Sequence, residues 1–424
     1  MKTSIKLLKH LAFELATAAL LVPLFVATSS AMPIFARKYG YKCSYCHTTI
    51  PRLNETGFRF RAAGFRLPSD IGTQTDKNYE VGNYLAMALT GAVSYATTNP
   101  PGAASTSLFS MGLDQIMVAM AGAMTPHMSA DIHLMYDPMS GLFGLDKAYA
   151  QYTTGAEDGF FTAKLGVLDP LQGYQASDEA MGLSDPLIRA TPAIGPNGST
   201  LFTTGGLPQF GLELGYTWPT TAVRATVSGG VYSDGQGGVI PVEGTAGKPA
   251  GPSQNSVDMQ VFITQFLNKE GAGLSGYFYL GSVDLPTGSP APDTLFQDKY
   301  LRYAIYGTLP ISSFQVLAGW QQGTDNSWDT VNLVQGSDFT NSGWFGEADY
   351  QIAPLFGVGA RYDQFDPWTQ SSSNDKINAI AGFINYAFGN GLQVVGEYQS
   401  VTTQQGPSAK ETDGNFGINV IWIH

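Results

Sequence analysis

The sequence predicts an all-β protein: a transmembrane antiparallel β-barrel of about 16 strands, preceded by a short, compositionally distinct N-terminal segment. Three observations carry this. Stretches of about ten residues alternate apolar with small or polar side chains from about Asn78 onward, the period of a strand with one apolar face. Short and long connections alternate between them. Charge is sparse at 13%, while Gly (50), Tyr (21) and Phe (24) are abundant and mean hydropathy is −0.04, which fits neither a disordered chain nor a helical membrane bundle.

The chain opens on "MKTSIKLLKH", with Lys2, Lys6 and Lys9, then an apolar run "LAFELATAALLVPLFV" and the small-residue stretch "ATSSAMP". This is the pattern of a secretory signal peptide cut after Ala31. Glu14 and Pro23 within the apolar run argue against a membrane anchor. Three regions are expected: a signal peptide over 1–31, a distinct segment over 32–78 and a barrel over 79–424. Removal of 1–31 leaves 19 Lys and Arg against 33 Asp and Glu. So acidic a chain is a poor partner for nucleic acid and a natural one for cations.

Sixteen strand segments follow in order, at about 81–96, 113–124, 128–137, 146–154, 159–168, 208–218, 222–233, 257–268, 272–283, 299–309, 313–323, 340–352, 355–365, 376–388, 391–402 and 413–423. In "ADIHLMYD", Ala130, Ile132, Leu134 and Tyr136 share one face, and Asp131, His133, Met135 and Asp137 the other. "YLRYAIYG" sets Leu301, Tyr303 and Ile305 against Arg302, Ala304 and Tyr306. "WFGEADY" sets Trp344, Ala348 and Tyr350 against Glu347 and Asp349.

The connections sort into two sets. Short ones fall at 125–127, 155–158, 219–221, 269–271, 310–311, 353–354 and 389–390. Long ones fall at 97–112, 138–145, 169–207, 234–256, 284–298, 324–339, 366–375 and 403–412. Outer-membrane barrels have short periplasmic turns, long external loops and an even strand number. Two soluble sandwiches in tandem would put charge on their water-facing sides, and charge is scarce here. An outer-membrane location with both termini in the periplasm is therefore expected. The last strand ends on Trp422-Ile423-His424 rather than on the terminal aromatic usual in such barrels.

Both cysteines of the chain lie in "YKCSYCHTTIP" (residues 41–51). Cys43-Ser-Tyr-Cys46-His47 matches C-x-x-C-H, the attachment signature of a covalent haem c. Two thiols add across the two vinyl groups of the macrocycle, and the imidazole that follows reaches the iron as proximal ligand. A thioredoxin-like site needs a βαβ scaffold that is absent. Structural zinc wants four ligands and the segment supplies three. A disulfide remains open, although so short a clasp stabilises little.

The flanks carry a resemblance. Pro33, Phe35, Ala36, Arg37 and Gly40 precede the motif; Pro51, Leu53, Gly57, Phe60, Arg61, Gly64 and Phe65 follow it. Over residues 33–65 the chain resembles the N-terminus of the fused outer-membrane monohaem cytochrome–porins of iron-oxidising bacteria. The resemblance implies one haem c, a barrel of about sixteen strands and an Fe(II):cytochrome c oxidoreductase role. Extracellular Fe(II) would be the electron donor and a soluble periplasmic cytochrome c the acceptor. Related single-haem porin fusions in metal-respiring bacteria share much of the pattern, so electron export to external metal oxides is an alternative. A diffusion porin with a structural haem segment is another.

Segment 32–78 has few large apolar residues and is too short to bury a haem alone. It is expected to plug the lumen or its periplasmic mouth. Arg37, Arg52, Arg59, Arg61 and Arg66 make it basic; inward-facing Asp131, Asp258, Glu347, Asp349, Asp363 and Glu397 complement it. Arginine also suits haem propionates, which makes Arg37 a candidate contact. Strand parity and a turn at 125–127 set His133 opposite Ala119, and Met135 opposite Met117, on the lumen side. His133 is the first candidate for the distal iron ligand, with Met117 and Met135 behind it; a lumen histidine in water and an open sixth position are the alternatives. Asp137, Asp146, Asp169, Asp178, Glu179 and Asp185 are candidates for concentrating divalent cations.

Overall fold

The computed structural model describes residues 34–49, 52–73, 81–138, 141–168, 182–190, 209–232, 254–286, 295–326, 328–329, 334–335, 338–353, 355–367, 369, 376–388, 391–405 and 409–423. The expected leader (1–31), His424 and the acids Asp169, Asp178 and Glu179 lie outside them.

Two short strands, β1 (His47–Thr49) and β2 (Arg52–Leu53), belong to the N-terminal segment. The wall begins with β3 (Leu85–Thr98), β4 (Thr106–Ala123), β5 (Met128–Asp137), β6 (Leu142–Ala156) and β7 (Gly159–Leu168). It continues with β8 (Gln209–Thr217), β9 (Thr221–Tyr232), β10 (Gln254–Phe266), β11 (Gly273–Pro286), β12 (Leu295–Ile311) and β13 (Phe314–Asp325). A two-residue pair, β14 (Trp328–Asp329) and β15 (Val334–Gln335), stands apart from it. The wall ends with β16 (Phe339–Ala353), β17 (Phe356–Asp366), β18 (Lys376–Ala387), β19 (Leu392–Gln405) and β20 (Ala409–Ile423).

Sixteen strands form one closed antiparallel barrel, each paired with its neighbour in sequence. β20 returns to β3, with Ile418 opposite Val93, and closes the cylinder. Closure is what lets strands cross lipid, because it pairs backbone groups that hydrocarbon could not solvate. Among the described residues no helix is long and apolar enough to cross a membrane.

The strands coincide with the sixteen predicted segments. β5 and β7 match at both ends. Several strands run on into the long-loop end: β4 begins at Thr106 rather than 113, β12 at Leu295 rather than 299, and β19 ends at Gln405 rather than 402. The β4 extension, residues 106–112 ("TSLFSMG"), is rich in Ser, Thr and Gly; pairing with β3 makes it β. At the other boundary, Val81–Asn83 is a 3-10 turn, and the first barrel strand starts at Leu85.

Side chains alternate as the period demands. On β18, Ala379, Ala381 and Phe383 are buried, while the alternate residues Ile380 and Ile384 are 61% and 53% exposed. Leu165, Val227 and Ile305 face outward in the same way. So much exposed aliphatic surface suits lipid and not water. Aromatic pairs ring the outside near the short turns: Tyr216 and Trp218 have ring centroids 4.4 Å apart, Phe314 and Tyr350 4.6 Å, Phe356 and Tyr386 5.7 Å. That is the belt expected at a membrane interface. Inside, Asp131, Asp258, Glu347, Asp349, Asp363 and Glu397 are all buried, as their parity requires.

Two segments lie against inward-facing residues of the wall. Described residues of the N-terminal segment contact it in the half nearest the short turns. Their apolar side sets Ile34, Phe60 and Phe65 on Ala86, Ala119 and Ala121 of β3 and β4, where alanines leave room for rings. Their charged side carries Arg52, which donates to Asp349 and Glu347 of β16. Between these, Phe58 lies 5.0 Å from the Phe266 ring. The second segment, 182–190, belongs to the long connection between β7 and β8. It lies against β16 and β17, eight places round the ring from β7 for β17, and its single turn Leu187–Ala190 buries Leu187 and Ile188 against Phe345 and Phe365. The sequence placed 169–207 outside the barrel. Apolar Leu187-Ile188, two residues beyond Asp185, is the reason this part folds inward.

Candidate functional site

The C-x-x-C-H motif sits between two helices, α1 (Ile34–Tyr39) and α2 (Glu55–Ala62). Cys43–Tyr45 form one 3-10 turn, and Cys46 N donates to Cys43 O at 3.2 Å. The turn brings both thiols to one bend of chain. They are not joined to each other, and both are half-buried. His47 follows directly, opening β1 opposite Leu53 of β2.

Asn54 ties this arrangement together. Its Oδ1 accepts from Gly57 N at 2.9 Å, capping α2. Its Nδ2 donates to Tyr45 O at 3.1 Å, and its backbone N to Cys46 O at 2.9 Å. One residue therefore starts the helix and fixes the motif turn. Gly57 is required there, because a Cβ would collide with the Cys46 carbonyl. Asn before a helix is a sequence signal for an N-cap, and it would have identified Asn54; its grip on the motif is a tertiary fact.

At the far end of α2, Gly64 (φ +77°) and Phe65 (φ +61°) turn the chain. A bulky residue at positive φ is strained. Phe65 is held there by its N–H to Phe60 O at 3.0 Å and by stacking on Phe35 at 5.0 Å. Tyr39 donates to Phe65 O at 2.9 Å and starts a run of rings beside the motif, Tyr39 to Tyr41 at 5.6 Å and Tyr41 to Tyr45 at 4.6 Å. Partial burial pushes the Cys46 thiol up to about 11, with the nearby Cys43 adding to the shift.

The arginines divide by role. Arg52, wholly buried like Arg66, pairs with both Glu347 and Asp349. Arg66 donates to the carbonyls of Thr125, Pro126 and Met128 in a short turn, at 2.8 Å to Thr125 and 3.0 Å to Met128. Arg59 reaches the Glu157 carbonyl and lies 3.6 Å from Glu55. Arg61 lines a small cavity with Phe58, Lys164, Glu213 and Arg224. The backbone of Arg37 lies in α1; its side chain is outside the described residues.

His133 faces the lumen opposite Ala119, and Met135 opposite Met117, in the predicted register. His133 Nε2 lies 3.0 Å from Asp131 Oδ1, and Lys147 Nζ is 3.5 Å from Asp131 Oδ2. The motif lies elsewhere. Thr48, next to His47, donates to Gln315 of β13 at 3.4 Å, and β13 is eight places from β5 in a sixteen-stranded ring. At strand spacing and tilt typical of barrels that is a diameter of about 30 Å. The strand that carries His133 thus lies across the ring from the strand that Thr48 meets. Met117 instead packs on the cluster that holds Phe60, Phe65 and Tyr39. Among the acids considered for cation capture, Asp185 is the one whose side chain is described, and its backbone carbonyl is engaged by Arg361 at 3.1 Å.

Free thiols on one turn with an adjacent imidazole are the donor set that a covalent haem requires. Among the described residues no group of three or more His, Cys, Asp and Glu is arranged to hold a metal ion directly.

No protein-family model matches the chain, and no curated protein matches it. Among solved structures it is similar to the anion-selective porin from Comamonas acidovorans, with 11% identity over 80% of this chain and 98% of that one at a TM-score of 0.51. It is similar also to OprB of Pseudomonas putida, with 9% identity over 80% of this chain and 94% of that one at a TM-score of 0.51. At such identities the likeness is one of fold. The chain has the closed sixteen-stranded antiparallel barrel of outer-membrane porins.

Proposed function

We propose that the protein is an outer-membrane electron conduit that carries one covalent haem c in segment 32–78, seated as a plug in the periplasmic end of the barrel. The observation that supports this best is C-x-x-C-H on a turn anchored by Asn54 and Arg52 inside a closed barrel. Cys43 and Cys46 would hold the macrocycle and His47 the iron. When bound, the haem supplies reversible one-electron storage. Asn54 fixes the turn that carries the thiols, and Arg52 fixes β2 to the wall. The two inserted segments narrow the lumen, so that ions do not accompany the electron. Short turns on the periplasmic side put both termini there. Extracellular Fe(II) gives up one electron and becomes Fe(III). The electron passes to a soluble periplasmic cytochrome c. Outer-sphere transfer needs no dedicated iron site, and the acidic chain favours cations near it.

The test is to mix Fe(II) with purified oxidised protein and follow the haem band. Reduction on mixing is expected; failure to reduce at the organism's working pH removes Fe(II) as donor, and a strongly negative haem potential favours electron export instead. A second reading rests on the fold likeness to an anion-selective porin: a diffusion channel whose haem segment is structural. Swelling of sugar-loaded liposomes would support it, and an impermeable barrel would remove it.

A further inference from the structure

Glu347 on β16 serves two segments that enter the lumen from different parts of the chain. One carboxylate oxygen accepts from Arg52 of the N-terminal segment. The other lies 3.6 Å from Nη1 of Arg361, which stands directly opposite Glu347 on β17. Arg361 in turn holds segment 182–190. Its Nη1 donates to Ser184 O and its Nη2 to Ser184 Oγ, both at 2.7 Å, and Nη2 reaches Asp185 O at 3.1 Å. The same segment is fixed by Leu187 N donating to Asp363 at 3.2 Å and by Leu183 N donating to Glu397 at 2.8 Å. Arg361 Nε is bound to Asp363 at 2.9 Å.

We propose that Glu347 couples the two segments, so that docking of each stabilises docking of the other. Arg52, Arg361, Glu347, Asp349 and Asp363 are all buried. In this low-dielectric cluster two cations share three carboxylates. With Arg52 in place, Glu347 Oε1 accepts from its guanidinium, while Oε2, which accepts no hydrogen bond, lies 3.6 Å from Arg361, whose fork holds Ser184 and Asp185. With Arg52 withdrawn, Glu347 and Asp349 lose their guanidinium, and a buried unpaired carboxylate is costly. The nearest remaining cation is Arg361. It turns toward Glu347 and releases the backbone of 182–190. In the reverse direction, loss of 182–190 frees Arg361 to take Glu347 and weakens the hold on Arg52. The linkage is reciprocal, as a coupling free energy must be.

Trypsin reads both segments in the assembled barrel. Arg189 is the one Lys or Arg between residues 169 and 207, and Arg59, Arg61 and Arg66 report on the N-terminal segment. Arg52→Met is expected to speed cutting at Arg189 about tenfold, through Glu347 and Arg361. Deletion of 182–190 is expected to speed cutting at Arg59–Arg66 by a similar factor, and Glu347→Gln to speed both. The proposal is overturned if Arg52→Met exposes Arg59–Arg66 while Arg189 stays protected as in the native protein. Heat-dependent gel mobility verifies barrel assembly; where Arg52→Met does not assemble, Arg52→Lys carries the same test, since lysine lacks the two-pronged fork. The coupling does not rest on the haem, and a Cys43→Ala/Cys46→Ala protein should show it unchanged.

Discussion

The N-terminal segment is held differently on its two sides. Toward β3 and β4 it is apolar: Ile34, Phe60 and Phe65 lie on alanines. Toward β16 it is ionic: one guanidinium meets two carboxylates. Apolar packing is non-directional and depends on filled volume, so it fixes depth and tolerates small rotations. A guanidinium fork is directional. The ionic side therefore sets the angle at which β1, β2 and the adjoining motif turn are presented, and the apolar side supplies much of the burial.

The largest effect is expected on the ionic side. Arg52→Met strands two buried carboxylates and should cost about 3–5 kcal/mol, read as a lower denaturant midpoint for the release of the segment. Simultaneous replacement of Glu347 and Asp349 by Gln and Asn with Arg52→Met should recover part of it, because the stranded charge is gone. On the apolar side Phe60→Leu keeps most of the volume and should cost about 1 kcal/mol. If Phe60→Leu proves as damaging as Arg52→Met, the division of labour is wrong.

Between the two sides, Asn54→Ala removes a helix cap and should cost about 1 kcal/mol. Because Asn54 also holds Tyr45 O, in the haem-loaded protein that the proposed function implies this change should broaden the haem spectrum in a way that Phe60→Leu does not. In the haem-free chain, alkylation of Cys46 should be slow near neutrality and rise with an inflection near 11. The folded thiol binds its proton more tightly than the unfolded one, so this contribution to stability is present below the ordinary thiol range and is lost as pH rises toward 11. An inflection near that ordinary range would show Cys46 to be exposed. The smallest effect is expected from His133→Ala, whose side chain pairs with Asp131 across the lumen from the motif. The haem spectrum should not change; loss of a low-spin band would place His133 on the iron.

The wall was legible because its information is local. Ile380 and Ile384 face lipid, and Ala381 and Phe383 the lumen, by a period of two that any ten residues display. The motif was legible for the same reason, with Cys43, Cys46 and His47 adjacent in the chain. Parity also put Glu347, Asp349 and His133 inside. It could not say what each would meet there. Arg52 and Glu347 are 295 residues apart, and nothing in either neighbourhood names the other. Arg361 carries no role in its own stretch of sequence, since one arginine on a lumen face looks solvated until segment 182–190 is laid against it.

What the sequence determined by itself is the number of strands, their faces, the alternation of turns and the cysteine–histidine signature. All of these follow from patterns shorter than one strand. The tertiary structure decided which side of the lumen receives the motif, that residues 182–190 fold inward, and that one carboxylate serves both inserted segments. Those outcomes depend on ring closure, which sets β13 and β5 half a circumference apart and brings β16 and β17 within reach of two distant segments. Closure is a property of all sixteen strands together, and no single strand encodes it.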